Sequence, residues 1–163
     1  MGDPTRIVAM NAAQFFDHWD KVWRDLQRAV SMLKDDHLDF RPAERYHRTV
    51  GDILFHIIDL EKFWIHDVIQ KGGPTEVDEG KEPLRTVDEI RGEMEAVHKR
   101  TMDILATLPV EDFNRIVQVP RDGTPKLGWI LWHVFEQQIH HRGELYLCLS
   151  LMGMDRPKTD RPG

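Results

Sequence analysis

The sequence predicts an all-α protein folded as a four-helix bundle. Apolar side chains recur three and four residues apart over four long stretches, and little of the chain has the alternating pattern of a strand. With 163 residues, 40% of them hydrophobic and 31% charged, the chain has the size and balance of one globular domain. We therefore expect a single domain over residues 1–163, with a poorly ordered tail from about residue 155.

The first two predicted helices have clear start signals. The first begins at the N-cap candidate Asn11 and extends to about residue 36. The second begins at the N-cap candidate Thr49 and extends to about residue 70, where Gly72, Gly73 and Pro74 end it. Residues 71–85 then form a predicted solvated loop, because they combine glycine and proline with mixed charges.

The last two predicted helices are separated by irregular structure. The third follows a capping box formed by Thr86 and Glu89 and extends to about residue 107. Residues 115–119 suit one short extended segment, for which we expect no partner strand. Thr124, as N-cap before a proline, predicts the start of the fourth helix, which extends to about residue 152 and ends at Gly153.

Composition argues against several functional classes. The 28 acidic and 22 basic residues give a formal charge of -6, which disfavours nucleic-acid binding. The longest uncharged runs are about half the ~20 apolar residues that a membrane-spanning helix needs. We expect a cytoplasmic protein, because the single cysteine cannot form an internal disulfide and charged residues interrupt the N-terminal stretch where a signal peptide would be apolar.

Several polar side chains fall on the predicted interior faces of the helices. Those on the fourth helix are Gln137, Gln138, His141 and Arg142. On the second helix, His56 flanks the apolar face and Glu61 falls near its middle. Buried polar groups need partners, so they belong either to a structural network, with Arg142 paired to Glu61 or to a helix C-terminus, or to a metal site. In the second interpretation His56, Gln137 and His141 form a three-ligand site with open positions.

Two motifs then indicate a family. The run HVFEQQIHHRGE at residues 133–144, followed by an apolar run and a glycine, closely resembles the last-helix signature of the DinB/YfiT-like proteins. The run TVGDILFH at residues 49–56, with Trp64 eight residues later, resembles the ligand motif of their second helix. The resemblance implies a four-helix bundle of the up-down-down-up type with long loops, which forms a homodimer.

The resemblance also implies a divalent metal held by three histidines. By position, His56 and His141 match the first and third ligands, whereas the second falls on Gln137, whose amide oxygen is a weaker ligand. The implied metal is zinc or nickel, with manganese and iron as further candidates. If Gln137 binds weakly, Glu144, Glu61 or water would complete the coordination shell.

Other residues of the signature have less defined roles. His133 and His140 match the family pattern without being its usual ligands, and we expect His140 to lie too far round the helix to share a metal with His141. Arg142 matches the family's arginine, and is a candidate for binding a cofactor or a substrate carboxylate, or for bracing two helices. Cys148 falls on the apolar arc and is expected in the core.

Two further sets of residues carry expectations. The histidines without motif context, expected at the surface or at helix ends, are His18, His37, His47, His66 and His98. The tryptophans considered either for a dimer interface or for the core are Trp19, Trp23, Trp129 and Trp132.

The resemblance implies a metal-dependent enzyme that acts on a small molecule in stress response or detoxification. Characterised relatives include S-transferases and isomerases that use low-molecular-weight thiols, such as bacillithiol or mycothiol, and others are candidate hydrolases. The metal would stabilise a thiolate or activate water. One alternative is a non-catalytic dimeric bundle whose metal site is lost at Gln137. Another is a ferritin-like di-iron protein using Glu44 with His47 and Glu95 with His98, but the first pair precedes the second helix and lies in a loop.

Overall fold

The computed structural model describes residues 9–72, 84–119 and 123–158, and within these ranges it is built from helices. The five α-helices are α1 (Ala12–Phe15), α2 (His18–Val30), α3 (Val50–Glu61), α4 (Val87–Leu105) and α5 (Leu127–Leu151). A π-helical segment, Lys62–Gln70, continues α3, and short 3-10 helices cover Asp35–Asp39 and Val110–Asn114. The all-α prediction is confirmed.

The four long helices surround one apolar core. α2 packs against α4 and α5, and α3 packs against the same two helices, so that α2 and α3 stand diagonally. Large side chains that are fully buried include Trp19, Leu26, Ile53, Leu54, Ile57, Ile90, Met94, Leu105, Ile130 and Leu131. These residues follow the periodicity that predicted the helices. The up-down-down-up order of helix directions stays a prediction.

Helix termini follow local sequence signals. Asn11, Thr49 and Thr86 each accept a hydrogen bond from the backbone N–H three residues later, at 2.9, 3.1 and 3.2 Å. Each therefore satisfies one of the N–H groups that a helix start leaves without a partner. At the C-terminal end of α5, Gly153 follows the helix with φ of 80°, a conformation that favours glycine.

The first predicted helix is interrupted. It breaks between α1 and α2, where the Trp19 N–H donates to the Phe16 carbonyl at 2.8 Å. The turn places the Phe16 ring in the core, against Trp19 and Phe135, with ring centroids 5.8 Å away in both cases. Packing of a large ring therefore interrupts a helix that periodicity alone predicts as continuous.

The segment before α5 has a partner after all. Residues 115–119 turn back against residues 123–127, and the Val117 and Leu127 N–H groups donate to the carbonyls of Pro125 and Arg115 at 2.9 and 2.8 Å. The expectation of an unpaired extended segment is therefore wrong. Because residues 123–126 take part in this pairing, α5 begins at Leu127, later than Thr124 predicts.

Two of the sequence predictions fall partly outside the described residues. Residues 73–83 of the predicted loop and residues 159–163 of the predicted tail are not among them. Within the described residues, no helix combines the length and the apolar character needed to cross a membrane.

Candidate metal centre

The structure brings together two of the three predicted ligands. His56 on α3 and His141 on α5 meet edge to face, with ring centroids 4.8 Å apart and an angle of 84° between the rings. His141 is 1% exposed and His56 is half-buried. The packing of α3 against α5 thus places two imidazoles from facing helices side by side.

Glu144 orients His141. Its Oε2 accepts a hydrogen bond from Nδ1 of His141, one turn earlier, while its Oε1 accepts from the Tyr46 hydroxyl. An imidazole whose Nδ1–H donates to a carboxylate presents the lone pair of Nε2. In His141 that Nε2 is buried and has no hydrogen-bond partner. The residues therefore fit a divalent metal, because a carboxylate on the second ring nitrogen is the usual support of a metal-binding histidine.

The electrostatics of this cluster favour the ligand forms of its side chains. Burial lowers the pKa of His56 to about 4, and also lowers the pKa of His141 despite the opposing effect of Glu144. Burial raises the pKa of Glu144, but hydrogen bonds from Tyr46 and His141 outweigh it, so the Glu144 pKa lies below its usual value. Neutral imidazoles and an ionised carboxylate are the forms that bind metals.

A second set of ligand atoms shares two of these residues. His140, His141 and Glu144 each place one ligand atom within 4.8 Å of the others. Nε2 of His140 lies 3.4 Å from Oε1 of Glu144. The expectation that His140 cannot share a metal with His141 is therefore wrong. Glu144, one turn later, lies between the two histidines around the helix and is within reach of both.

Gln137 lies on the same strip of α5, one turn before His141, and is half-buried. Its role as a ligand stays a prediction. Glu61, considered as an alternative ligand, belongs to another cluster, because its Oε1 accepts hydrogen bonds from Gln138 and, at 3.2 Å, from Nδ1 of His98.

That other cluster is a polar network in the core of the bundle. It links α2, α3, α4 and α5 through Trp19, Glu61, His98 and Gln138, all of them less than 5% exposed. Trp19 Nε1 donates to Gln138 Oε1 at 2.7 Å, and the His98 ring stacks on Trp23 with centroids 4.1 Å apart. These contacts have the character of a structural network rather than of an open site.

The expectation of surface positions for His66 and His98 is wrong, since each is only 4% exposed. His98 lies eight and four residues after Ile90 and Met94, both buried on the same face of α4. Nε2 of His66 lies 3.0 Å from Oγ1 of Thr101 in the interior. Helical spacing is thus the sequence signal that places His98 in the core, although histidine is a polar residue.

Arg142 braces two helices. Its Nη1 lies 3.1 Å from Oδ2 of Asp25, a fully buried carboxylate on α2 that also pairs with Lys21 and Arg28. The expected pairing of Arg142 with Glu61 is therefore wrong, because Asp25 is the partner. Asp25 is not identified as a buried residue from the sequence, although its spacing of three residues from the buried Val22 places it on the same face of α2. A role of Arg142 in binding a cofactor stays a prediction.

Exposure separates the four candidate interface tryptophans. Trp19 and Trp23 are 0% and 9% exposed and belong to the core. The prediction of an interface position is therefore wrong for these two residues. Trp129 and Trp132 are about half exposed. Cys148 is buried, and burial raises the pKa of its thiol, in agreement with the predicted core position.

Buried His66 makes the stability of the fold dependent on pH. Burial, with a contribution from Arg100, lowers the pKa of His66 below the value of about 6.5 expected in the unfolded chain. Between these two pKa values the unfolded chain binds a proton that the folded chain does not, so acid favours unfolding. His66 therefore contributes its full stability above about pH 6.5, and this contribution declines as the pH falls towards the folded pKa.

We expect the free energy of unfolding to fall less steeply between pH 7.5 and pH 5 in His66→Gln than in the native protein. Urea unfolding at several pH values measures this slope. The matched control is His18→Gln, because His18 is exposed at the start of α2. Equal slopes in His66→Gln and the native protein would contradict the assignment.

We compared the chain with protein families and with solved structures. The profile of the DinB family matches residues 1–163. A DinB-like protein from Bacillus subtilis is 20% identical, with a TM-score of 0.70 over 91% of this chain and 99% of that one. A DinB-like protein from Bacillus cereus ATCC 10987 is 18% identical, with a TM-score of 0.74 over 94% of this chain and 100% of that one.

A conserved protein from Enterococcus faecalis is 12% identical, with a TM-score of 0.61 over 89% of this chain and 99% of that one. At such identities the three structures establish similarity of fold alone. No curated protein sequence matches the chain.

Proposed function

The chain belongs to the DinB family, and on this basis we propose that it is a divalent-metal-dependent enzyme acting on a small molecule. One observation carries the proposal. Nε2 of His141 is buried without a partner, beside His56, while Nδ1 of the same ring is held by Glu144. A buried nitrogen without a partner is costly unless a ligand satisfies it, and a metal ion is the ligand that suits two neutral imidazoles.

His56, His141 and Gln137 would hold the ion, and Glu144 would orient His141. Zinc or nickel suits this nitrogen-rich set best, and manganese or iron are further candidates. The alternative set of His140, His141 and Glu144 lies nearer the surface, since His140 is exposed. We favour the first set because it uses the unpartnered Nε2 and leaves the hydrogen bond between His141 and Glu144 in place.

The chemistry that we propose is thiol S-transfer or hydrolysis in stress response or detoxification. A bound divalent ion would supply stabilisation of a thiolate or of a hydroxide at neutral pH. The chain's own residues would position the ion, and Tyr46 would hold Glu144 in place, since the hydrogen bond to Glu144 raises the pKa of Tyr46 to about 12 and keeps it a donor. Two activity assays distinguish these reactions. One measures conjugation of an electrophile with a low-molecular-weight thiol, and the other measures hydrolysis of an ester.

We further propose a cytoplasmic homodimer. α5 presents apolar side chains to solvent along much of its length, namely Trp132, Ile139, Leu147 and Leu151, each at least 39% exposed. Exposed apolar side chains that recur along one helix suit an interaction surface. The competing function is a non-catalytic dimeric bundle, which uses this surface but binds no metal.

The metal content of the purified protein tests the proposed function. After removal of loosely bound metal and reconstitution with zinc or nickel, we expect one ion per chain by elemental mass spectrometry. Gln137→His should tighten zinc binding about tenfold or more, because imidazole is a stronger ligand than an amide oxygen.

The matched control for this variant is Glu136→His, since Glu136 is the exposed neighbour on the same helix. Unchanged affinity in Gln137→His would remove residue 137 from the ligand set. Absence of bound metal in the native protein after reconstitution would favour the non-catalytic bundle.

A further inference from the structure

A cavity of about 610 Å³ opens beside the start of α5, apart from the metal ligands. It is lined by Trp64 of the π-helical segment and by Thr124, Pro125, Lys126 and Trp129. This volume lies within the usual range for small-molecule sites. None of its lining residues is among the metal-ligand candidates, so the metal proposal does not account for it.

Aromatic rings form the walls of this cavity. The rings of Trp64 and Trp129 stand nearly perpendicular, at 77°, with centroids 6.0 Å apart. His133 supports both, since it stacks on Trp129 at 4.9 Å and 6° and meets Trp64 edge to face at 5.8 Å. Trp129 nevertheless leaves 52% of its surface exposed. Large, rigid and half-exposed rings are poorly hydrated, so they offer a favourable contact surface to a planar apolar ligand.

Positive charge lies at the rim of the cavity. Lys126 is exposed, and its Nζ donates to the amide oxygen of Asn114 at 3.1 Å, a neutral partner that leaves the charge uncompensated at that contact. Lys126 is also the N-cap of α5, whose start has no side-chain cap and no acidic residue in its first turn. The partial positive charge of a 25-residue helix therefore adds to that of the lysine. An anionic group is the complement of this rim.

The cavity and the metal centre lie along the same helix. His133, which supports the ring walls, precedes His141 by two turns, about 12 Å along the axis of α5. In the facing segment formed by α3 and its π-helical continuation, Trp64 of the cavity follows His56 of the metal centre by eight residues. A small molecule of moderate size is long enough to span this distance.

We propose that this cavity binds the planar aromatic part of an anionic substrate, with the anion at Lys126 and the rings against Trp64 and Trp129. The inference rests on the proposed function in one respect, since the remainder of the substrate would extend to the metal centre. Binding of the aromatic anion itself requires no metal.

Isothermal titration calorimetry with three probes tests the proposal on the whole 163-residue chain. Naphthalene-2-sulfonate is a planar anion, naphthalene-2-methanol is planar and neutral, and cyclohexanesulfonate is an anion without a planar ring. We expect the first to bind most tightly, at one site per chain. Trp129→Ala should weaken both naphthalene probes about fivefold to tenfold.

Lys126→Gln separates charge recognition from structural damage. It should weaken naphthalene-2-sulfonate about threefold to tenfold and leave naphthalene-2-methanol unchanged. The matched control is Trp132→Ala, because Trp132 is a half-exposed tryptophan of the same helix that does not line the cavity. It should leave the affinities of all three probes unchanged.

Several results would overturn the proposal: no binding of either naphthalene probe, equal affinity in Trp129→Ala, or equal weakening of both probes by Lys126→Gln. Trp129→Ala could also convert a dimer into a monomer in sedimentation while its affinity for the naphthalene probes stays the same. That result would assign the Trp129 ring to a subunit interface. Failure of the metal proposal is distinguishable, because metal content is measured on the same samples. We expect His56→Ala to bind naphthalene-2-sulfonate normally and Trp129→Ala to bind metal normally.

Discussion

Replacing His141 with alanine is expected to abolish stoichiometric metal binding. His141 supplies a buried nitrogen that has no partner, and it belongs to both candidate ligand sets. Removal of a central ligand leaves His56 and Gln137 on different helices with no imidazole between them. Elemental mass spectrometry after reconstitution with zinc measures the loss. His141→Gln, which keeps much of the side-chain volume, guards against a loss that reflects unfolding alone.

Two further alanine variants distinguish the ligand sets. If the ion is held by His56, His141 and Gln137, then His56→Ala loses metal and His140→Ala keeps it. The reverse pattern would place the ion between His140, His141 and Glu144. Glu144→Gln should reduce affinity about 10- to 100-fold, as is usual for a residue that orients a ligand. His18→Ala, at an exposed position on α2, is the control. Retention of one ion per chain by His141→Ala would exclude both ligand sets.

The second large effect concerns stability. Glu61→Leu is expected to lower the free energy of unfolding by about 3 kcal/mol, because Nδ1 of His98 and Nε2 of Gln138 lose their buried acceptor. Leucine offers similar apolar volume but no oxygen. Urea unfolding followed by circular dichroism measures the change in the free energy of unfolding.

Two control variants sharpen this measurement. Glu61→Gln retains an acceptor oxygen and should cost less than Glu61→Leu. Glu95→Leu, at an exposed position of α4, should change stability by no more than about 0.5 kcal/mol. Unfolding free energies that are equal in Glu61→Leu and the native protein would show that the network adds nothing to stability, as happens when desolvation cancels the gain from buried charge.

The candidate site was partly predictable from the sequence. His56 and His141 follow from motif spacing, and the meeting of their rings is what facing helices allow. Sequence spacing did not predict that Glu144 bonds to Nδ1 of His141 or that it is within reach of His140. Side-chain rotamers decide these contacts, because a helix fixes where a side chain begins but not where a long one ends.

The sequence by itself determined the helical character of the chain and the starts of α1, α3 and α4. Asn11, Thr49 and Thr86 cap helices through bonds to residues three positions away, and the core residues repeat with the helical period. Such signals are local, so they do not depend on how distant parts of the chain pack.

Only the tertiary structure decided which distant groups pair. Arg142 meets Asp25 across 117 residues and Gln138 meets Glu61 across 77. The break before α2, the pairing of residues 115–119 with residues 123–127, and the cavity lined by Trp64 and Trp129 have the same origin. Each depends on how the helices and their connecting segments pack. Packing selects among partners that helical periodicity alone leaves equivalent, because buried polar groups bond to whichever complementary group the packed core places within reach.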